Sequence, residues 1–367
     1  MKEKLLLSLV VSLISIAGWS QNIDKTKIDS YLETLAGNNK FMGSVAISRN
    51  KEVVYAKTVG FADIQNNLKA DENSKYGIAS VSKTFTTVLC IKAIEENKLQ
   101  PDQTLFHFFP TIENSRRITI EQILYHRSGL PDIMWNDSID WTQPRTERQM
   151  IEIISKAGSD FEPDSQTAYI NTGFFLLSYV LERIYEKPYP EILEEKIIEP
   201  AGLKNTCSGE NIDNNACYSY SHSGWIKQPV MDWTVLLGAA GIVSNAFDLT
   251  MFSNSLFNGE LVSTESLQQM KTLRDGYGMG LFEMSFSGRK GFWIQGGLQG
   301  FKSWLVYFPD SNISVAITAN GVELNFNDVI TTVLKAAFGE PFEIPEFQNY
   351  CITDQESDKY PAVYSRE

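Results

Sequence analysis

Residues 78–84 read IASVSKT, and they place two serines and a lysine within four positions at the start of a long apolar run. The segment from Ser80 to Leu99 has the periodicity of a helix that ends before Pro101. Residues three apart share a helix face, and the dipole at the helix N-terminus favours negative charge there. The stretch therefore predicts that Lys83 lies beside the Ser80 hydroxyl.

The Ser-x-x-Lys spacing alone is weak evidence, because the chain contains it three times. The other two copies begin at Ser48 and Ser287, and both fall at predicted hairpin turns. A serine hydroxyl becomes a nucleophile only when a base takes its proton, and an ordinary lysine, with a pKa of about 10.4, is protonated at neutral pH. Ser80 and Lys83 can act as such a pair only if burial or a neighbouring group lowers the lysine pKa.

The segment AYINTGF contains the only Tyr-x-Asn of the chain, Tyr169 and Asn171, just before a predicted helix. A tyrosine phenol can pass a proton between Ser80 and a leaving group if Lys83 stabilises its phenolate. The amide of Asn171 is a candidate to hold a substrate carbonyl. This segment therefore supplies a second group for the chemistry of Ser80.

A third candidate element, in FWIQGGLQGF, joins a predicted strand to a glycine-rich turn. Gly296 and Gly297 leave room for a substrate backbone beside the strand. The backbone N–H of Leu298 is expected to form an oxyanion hole together with that of Ser80.

The order of predicted elements indicates an α+β fold. Two strands near the N-terminus are followed by a mainly helical stretch, about residues 100–245, and strands then return before a last helix. This order predicts one antiparallel sheet built from both ends of the chain, flanked by helices, with the helical stretch inserted as a second lobe.

Ser80-Val-Ser-Lys83, Tyr169-Ile-Asn171 and Gln295-Gly296-Gly297, in that order, resemble the three active-site elements of the serine β-lactamase-like family. The family includes class C β-lactamases, D-alanyl-D-alanine carboxypeptidases of the penicillin-binding type, esterases and D-amino-acid peptidases. Segments such as ITIEQILYHRSGLPD and GAAGIVSNAFDLTMF are also similar, and the likeness covers roughly residues 24–340. The absence of Ser-Asp-Asn places the chain nearer class C than class A.

The resemblance implies a β-lactamase/transpeptidase-like fold and a mechanism without a cofactor. Ser80 would attack a carbonyl, Lys83 and Tyr169 would move protons, and water would release the acyl-enzyme. The family usually has Lys or His where this chain has Gln295, whose uncharged amide should hold a substrate carboxylate less tightly.

Three functions remain open from the sequence. The first is a hydrolase of D-alanyl peptides, including peptidoglycan-derived ones, or of small esters and amides. The second is a class C-like β-lactamase. The third is a catalytically weak relative that binds a cell-wall peptide or another partner.

The N-terminus, the overall charge and the C-terminus bear on location and domain organisation. Residues 1–20 have the lysines and the apolar stretch of a cleaved signal peptide, which predicts a periplasmic or secreted protein without stable membrane insertion after cleavage. An uncleaved anchor is the alternative.

The overall charge bears on binding partners. A net charge of −13 argues against nucleic acid or an anionic membrane as a partner. We expect the hydrolase domain over residues 21–340, and a linker or the stub of a truncated β domain over residues 341–367.

The cysteines and histidines predict structural roles. Cys207 and Cys217 flank a turn-rich segment and are candidates for a disulfide bond, whereas Cys90 lies in an apolar helix and is predicted to be a buried thiol. None of the cysteines or histidines has metal-ligand spacing, so no metal site is predicted. His126, in HRSGLP, is expected to anchor a loop under the cleft.

Overall fold

The computed structural model describes residues 23–347 apart from residues 137, 209–217 and 222–223. Within these residues the helices are α1 Lys25–Gly37, α2 Ser82–Glu95, α3 Ile120–Leu124, α4 Glu147–Ala157, α5 Thr172–Tyr185, α6 Tyr189–Leu193, α7 Glu199–Ala201, α8 Ala246–Phe257, α9 Thr264–Lys271 and α10 Phe326–Ala337. The strands are β1 Phe41–Arg49, β2 Glu52–Val59, β3 Phe61–Asp63, β4 Leu68–Lys69, β5 Tyr76–Gly77, β6 Cys207–Ser208, β7 Tyr218–Ser221, β8 Gly224–Lys227, β9 Ile242–Ser244, β10 Phe282–Phe286, β11 Arg289–Leu298, β12 Phe301–Phe308 and β13 Ile313–Val322.

A six-stranded antiparallel sheet in the order β10-β11-β12-β13-β1-β2 forms the centre of the molecule. Strand β1 pairs with β13, with Val45 opposite Ile317, so strands from the two ends of the chain lie side by side. Eight of the nine residues of β1 are buried, as expected for a strand covered on both faces. The predicted sheet built from both termini is confirmed.

Each face of the sheet carries its own apolar core. Helices α1 and α10 cover one face through residues such as Leu32 and Val333. On the other face, α2 and α8 meet in a stack of Phe85 on Phe252, with ring centroids 3.7 Å apart. The inserted lobe contains α3 to α7 and supplies the residues that face the start of α2.

The helix predicted from Ser80 begins later in the structure. Helix α2 begins at Ser82, because residues 79–81 form a 3-10 turn in which Ala79 has φ +46°. Two other elements are irregular. Strand β10 begins only at Phe282, since Gly280 has φ +68° in the segment before it. Helices α6 and α7 are separated by a π-helical turn over Glu194–Ile198.

Several sequence predictions fall partly or wholly outside the described residues. These are the signal peptide, the partner Cys217 of the predicted disulfide bond, and most of the predicted linker. Cys90 is a fully buried free thiol, as predicted. At the start of the expected linker, Phe342 is buried edge-on against Tyr31 of α1, so this residue packs as part of the domain. None of the helices described here is long and apolar enough to cross a membrane.

Candidate active site

Ser80 lies half-exposed in the 3-10 turn that joins β5 to α2. The turn is fixed from both sides: the Ile78 N–H donates to the carbonyl of Ile242 at 3.0 Å, and the Ser303 hydroxyl donates to the carbonyl of Ile78 at 2.6 Å. These bonds hold Ala79 in a left-handed conformation that costs an L-residue about 1–2 kcal/mol. The nucleophile candidate therefore stands on a rigid and strained turn.

Lys83 is fully buried, and its Nζ contacts three acceptors. These are Asn171 Oδ1 at 2.7 Å, the carbonyl of Ala239 at 3.0 Å and Ser80 Oγ at 3.2 Å. Burial lowers the pKa of Lys83 to about 7, although the carboxylate of Asp132 acts in the opposite direction. A neutral amine keeps two N–H groups for Asn171 and Ala239 and turns its lone pair to Ser80. Lys83 thus meets the condition that a serine-activating base must satisfy.

The Tyr169 phenol lies beside Ser80, and its ring centroid lies 5.0 Å from Lys83 Nζ. Burial raises the pKa of Tyr169 to about 12, while the neighbouring Ser80 hydroxyl acts in the opposite direction. The side chain is therefore a neutral phenol at physiological pH. The arrangement of the resting site favours Lys83 as the proton acceptor and Tyr169 as a proton donor.

His126 packs beneath Tyr169, with ring centroids 4.7 Å apart. Its Nδ1 accepts from the Ile170 N–H at 3.1 Å, and its carbonyl accepts from the Ala168 N–H at 2.9 Å. Burial and the nearby charge of Lys83 lower the pKa of His126 to about 3, so the imidazole is neutral. It anchors the loop that carries Tyr169, in the manner expected from the sequence.

The burial of His126 predicts a loss of stability in mild acid. The unfolded chain takes up a proton near pH 6.5 and the folded chain does not, so stability should decrease as the pH falls below about 6.5. At pH 5 this one residue accounts for about 2 kcal/mol of the decrease in unfolding free energy. Urea denaturation at pH 7 and pH 5 measures this decrease in unfolding free energy.

In that experiment the unfolding free energy of His126→Asn should decrease by about 2 kcal/mol less than that of the wild type between pH 7 and pH 5. Asparagine is chosen because it tolerates the local φ of +58°. His107→Asn, at an exposed histidine, is the matched control and should retain the wild-type pH dependence. Equal pH dependence in all three proteins would contradict a neutral buried imidazole.

The amide of Asn171 is 4% exposed and is held by protein groups at both ends. Its Oδ1 accepts from Lys83, and its Nδ2 donates to Asp132 Oδ2 at 2.8 Å. The predicted role in holding a substrate carbonyl is therefore secondary to holding Lys83. Sequence reasoning missed Asp132, although an acid directly after HRSGLP, a segment of the family resemblance, was visible.

Gly296 lies directly against the turn that carries Ser80. A Cβ on Gly296 would lie 2.2 Å from the carbonyl oxygen of Ile78, 2.4 Å from Ser303 Oγ and 3.0 Å from the Ser80 nitrogen. Only glycine fits there. The third sequence element therefore packs against the Ser80 turn, and the face of β11 that carries Gly296 makes this contact.

The register of the β11–β12 hairpin corrects the predicted oxyanion donor. Leu298 and Phe301 are paired across a two-residue turn, and residues that flank such a turn exchange both backbone hydrogen bonds. The Leu298 N–H is therefore directed to β12. N–H directions alternate along a strand, so the Gly297 N–H points to the other edge. Among the described strands nothing pairs with that edge beyond Trp293.

Gln295 is exposed and lies one position out of phase with Gly296. Because side chains alternate along a strand, Ile294 shares the inward face with Gly296 and Gln295 points to the opposite face. Ile294 is 1% exposed and belongs to the core. An apolar side chain therefore occupies the inward position of the third element, and the resemblance had placed a polar amide there.

The comparisons with known proteins agree on one family. Residues 29–339 match the Beta-lactamase family model. The chain is 26% identical over 353 residues to "Penicillin-binding protein 4*" of Bacillus subtilis strain 168, covering 87% of this chain and 77% of the relative. It is 25% identical over 323 residues to "Teichoic acid D-alanine hydrolase" of Staphylococcus aureus strain MRSA252, covering 84% and 77%.

A solved structure, the octameric penicillin-binding protein homologue from Pyrococcus abyssi, superposes with a TM-score of 0.77 at 24% identity, covering 87% of this chain and 78% of that one. This likeness confirms the predicted β-lactamase/transpeptidase-like fold. With a family match over most of its length, the chain belongs to the beta-lactamase family and is a serine hydrolase of the β-lactamase and penicillin-binding-protein type.

Proposed function

We propose that this protein is an exported hydrolase that forms an acyl-enzyme on Ser80 and acts on D-alanyl esters, amides or peptides, or on similar small esters. The observation that carries the proposal is the contact of 3.2 Å between Ser80 Oγ and a buried Lys83 amine whose pKa is lowered to about 7. The lowered pKa means that, at neutral pH, a substantial share of the molecules hold the amine in the neutral form that can accept a proton.

Acylation follows from this geometry. Lys83 Nζ takes the Ser80 proton as Oγ bonds to the substrate carbonyl carbon, and the oxyanion is stabilised by the N–H groups of Ser80 and Gly297. The Tyr169 phenol donates its proton to the departing oxygen or nitrogen. The proton on Lys83 then returns to the tyrosine, so the protein regains its starting protonation.

Deacylation uses these groups in the same roles. A water molecule attacks the acyl carbonyl, its proton goes to Lys83, and Ser80 leaves with a proton from Tyr169. The proton on Lys83 then returns to the tyrosine, as after acylation. The cycle needs one base and one donor, and both side chains lie beside Ser80.

Two features favour D-alanyl esters and amides over penicillins. First, Ile294 and Gln295 bring no positive charge to the third element, which leaves a substrate carboxylate without a charged partner from those positions. Second, an aminoacyl ester carries an ammonium, which is attracted by a chain of net charge −13. The name of the Staphylococcus aureus relative, a D-alanine hydrolase of teichoic acid, is consistent with this substrate class.

Export remains part of the proposal. It is supported by residues 1–20 of the sequence and by relatives whose names refer to penicillin binding and teichoic acid.

Intact-mass spectrometry after incubation with a fluorophosphonate tests the acyl-serine step. We expect one adduct per chain in the wild type and none in Ser80→Ala, because the reagent needs an activated alcohol. No adduct in either protein would overturn the enzymatic proposal and favour a peptide-binding role. An adduct that persists in Ser80→Ala would place the nucleophile elsewhere.

Substrate preference is tested by comparing kcat/KM for a p-nitrophenyl ester of D-alanine, a D-alanyl-D-alanine peptide and nitrocefin. We expect the ester to be turned over best. Faster turnover of nitrocefin than of the ester would identify a β-lactamase instead.

A further inference from the structure

Asp132 lies in the loop before the 3-10 turn Ile133–Trp135, and its neighbours hold it rigidly. The Thr172 hydroxyl donates to the carbonyl of Pro131 at 2.7 Å and accepts from the Ile133 N–H at 3.0 Å. The residues on both sides of Asp132 are therefore fixed by one side chain. Thr172 directly follows Asn171, so the loop and the start of α5 keep a constant separation.

The carboxylate of Asp132 has two hydrogen bonds within this frame. Its Oδ1 accepts from the Met134 N–H at 3.3 Å, and its Oδ2 accepts from Asn171 Nδ2 at 2.8 Å. The other end of the same amide, Oδ1, accepts from Lys83 Nζ at 2.7 Å. A continuous chain thus runs from the carboxylate through a planar amide to the buried amine.

We propose that Asp132 is a positioning residue that fixes the Asn171 amide and, through its negative charge, sets the protonation balance of Lys83. The charge acts across the amide, since no atom of Asp132 is among the hydrogen-bond partners of Lys83 Nζ in the described residues. Its negative charge raises the pKa of Lys83 and so opposes the effect of burial. Because Asp132 does not bind Nζ directly, the lone pair of the neutral amine stays available to Ser80.

The other titratable groups around Lys83 cannot supply this charge. Ser80 and Tyr169 are neutral donors, and the pKa of the His126 imidazole is lowered to about 3, which leaves it uncharged. Burial alone can lower a lysine pKa by several units. Without a counter-charge the Lys83 pKa would fall further, and the neutral amine would be a weaker proton acceptor.

The test is an NMR titration of Lys83 in full-length protein labelled with 13C at lysine Cε. The Lys83 signal is assigned by its loss in Lys83→Met. In the wild type we expect a midpoint near pH 7, and in Asp132→Asn a midpoint lower by about one pH unit, because the substitution removes the charge and keeps an oxygen for Asn171. Asp160→Asn, at an exposed acid, is the control and should leave the midpoint unchanged.

Acylation rates with p-nitrophenyl acetate separate charge from hydrogen bonding. The acid limb of the profile of acylation rate against pH should move to lower pH equally in Asp132→Asn and Asp132→Ala. Only Asp132→Ala should lower the plateau above pH 8, by about tenfold or more, since it leaves the Asn171 amide unsupported. Rescue of the plateau by the asparagine variant is not expected of a residue that merely fills space.

The rate measurement rests on the proposed function, and the titration does not. If no variant is acylated, the proposed function fails and the NMR midpoint still decides the role of Asp132. A Lys83 midpoint that is the same in wild type and Asp132→Asn overturns the inference even when acylation is normal.

Discussion

Replacing Lys83 with methionine is expected to slow acylation of Ser80 by about 10²–10⁴-fold, the range typical for removal of a general base. Methionine has a similar length and suits a fully buried site, but it cannot accept the serine proton. In the wild type the same rate should fall as the pH decreases below about 7, because the amine of Lys83 becomes protonated. Stopped-flow measurement of p-nitrophenol release over pH 5–9 follows both effects.

Lys92→Met is the matched control, since Lys92 lies on the same helix and is only partly buried. It should retain the wild-type rate and pH dependence. If Lys83→Met were acylated at the wild-type rate, Tyr169 would have to act as the base, and the assignment of proton acceptor and donor would be reversed.

Gly296→Ala is expected to cause the second largest effect. Its Cβ would lie 2.2 Å from a backbone carbonyl and 2.4 Å from Ser303 Oγ, so β11 or the Ser80 turn must shift. Overpacking of this kind costs about 1–3 kcal/mol of unfolding free energy. A displacement of about 1 Å at the nucleophile can also lower the acylation rate by about 10²-fold. Urea denaturation and the ester assay measure the two losses separately.

Gly297→Ala is the matched control for stability. The nearest heavy atom to its added Cβ is the flexible end of Lys302, at 3.4 Å, so the unfolding free energy should change by no more than about 0.5 kcal/mol. Equal stability of the two variants would mean that β11 does not lie against the Ser80 turn.

The sequence predicted those parts of the site that depend on local chemistry. Ser80 and Lys83 are three residues apart where a 3-10 turn continues directly into α2, so local structure decides their contact. Tyr169 was identified because the Tyr-x-Asn pattern is unique in the chain. The two-ended sheet was also predictable, since its strands alternate clearly and bracket a helical stretch.

Other parts of the site depend on register and tertiary packing, which one sequence does not determine. A shift of one residue along β11 exchanges Leu298 for Gly297 as the N–H donor and Gln295 for Ile294 as the inward side chain. The pKa values of Tyr169 and Lys83 follow from burial by segments far away in the chain. Asp132 reaches Asn171 only because Thr172 fixes the intervening loop.

The pairing of β1 with β13 has a consequence for biosynthesis. Val45 finds its partner Ile317 roughly 270 residues later, which at about 5–20 residues per second corresponds to a delay of tens of seconds on the ribosome. Closing so long a loop is also entropically costly and slow. The nascent chain therefore spends most of its synthesis without a complete sheet, and it can acquire hydrolytic competence only after its last strand has emerged.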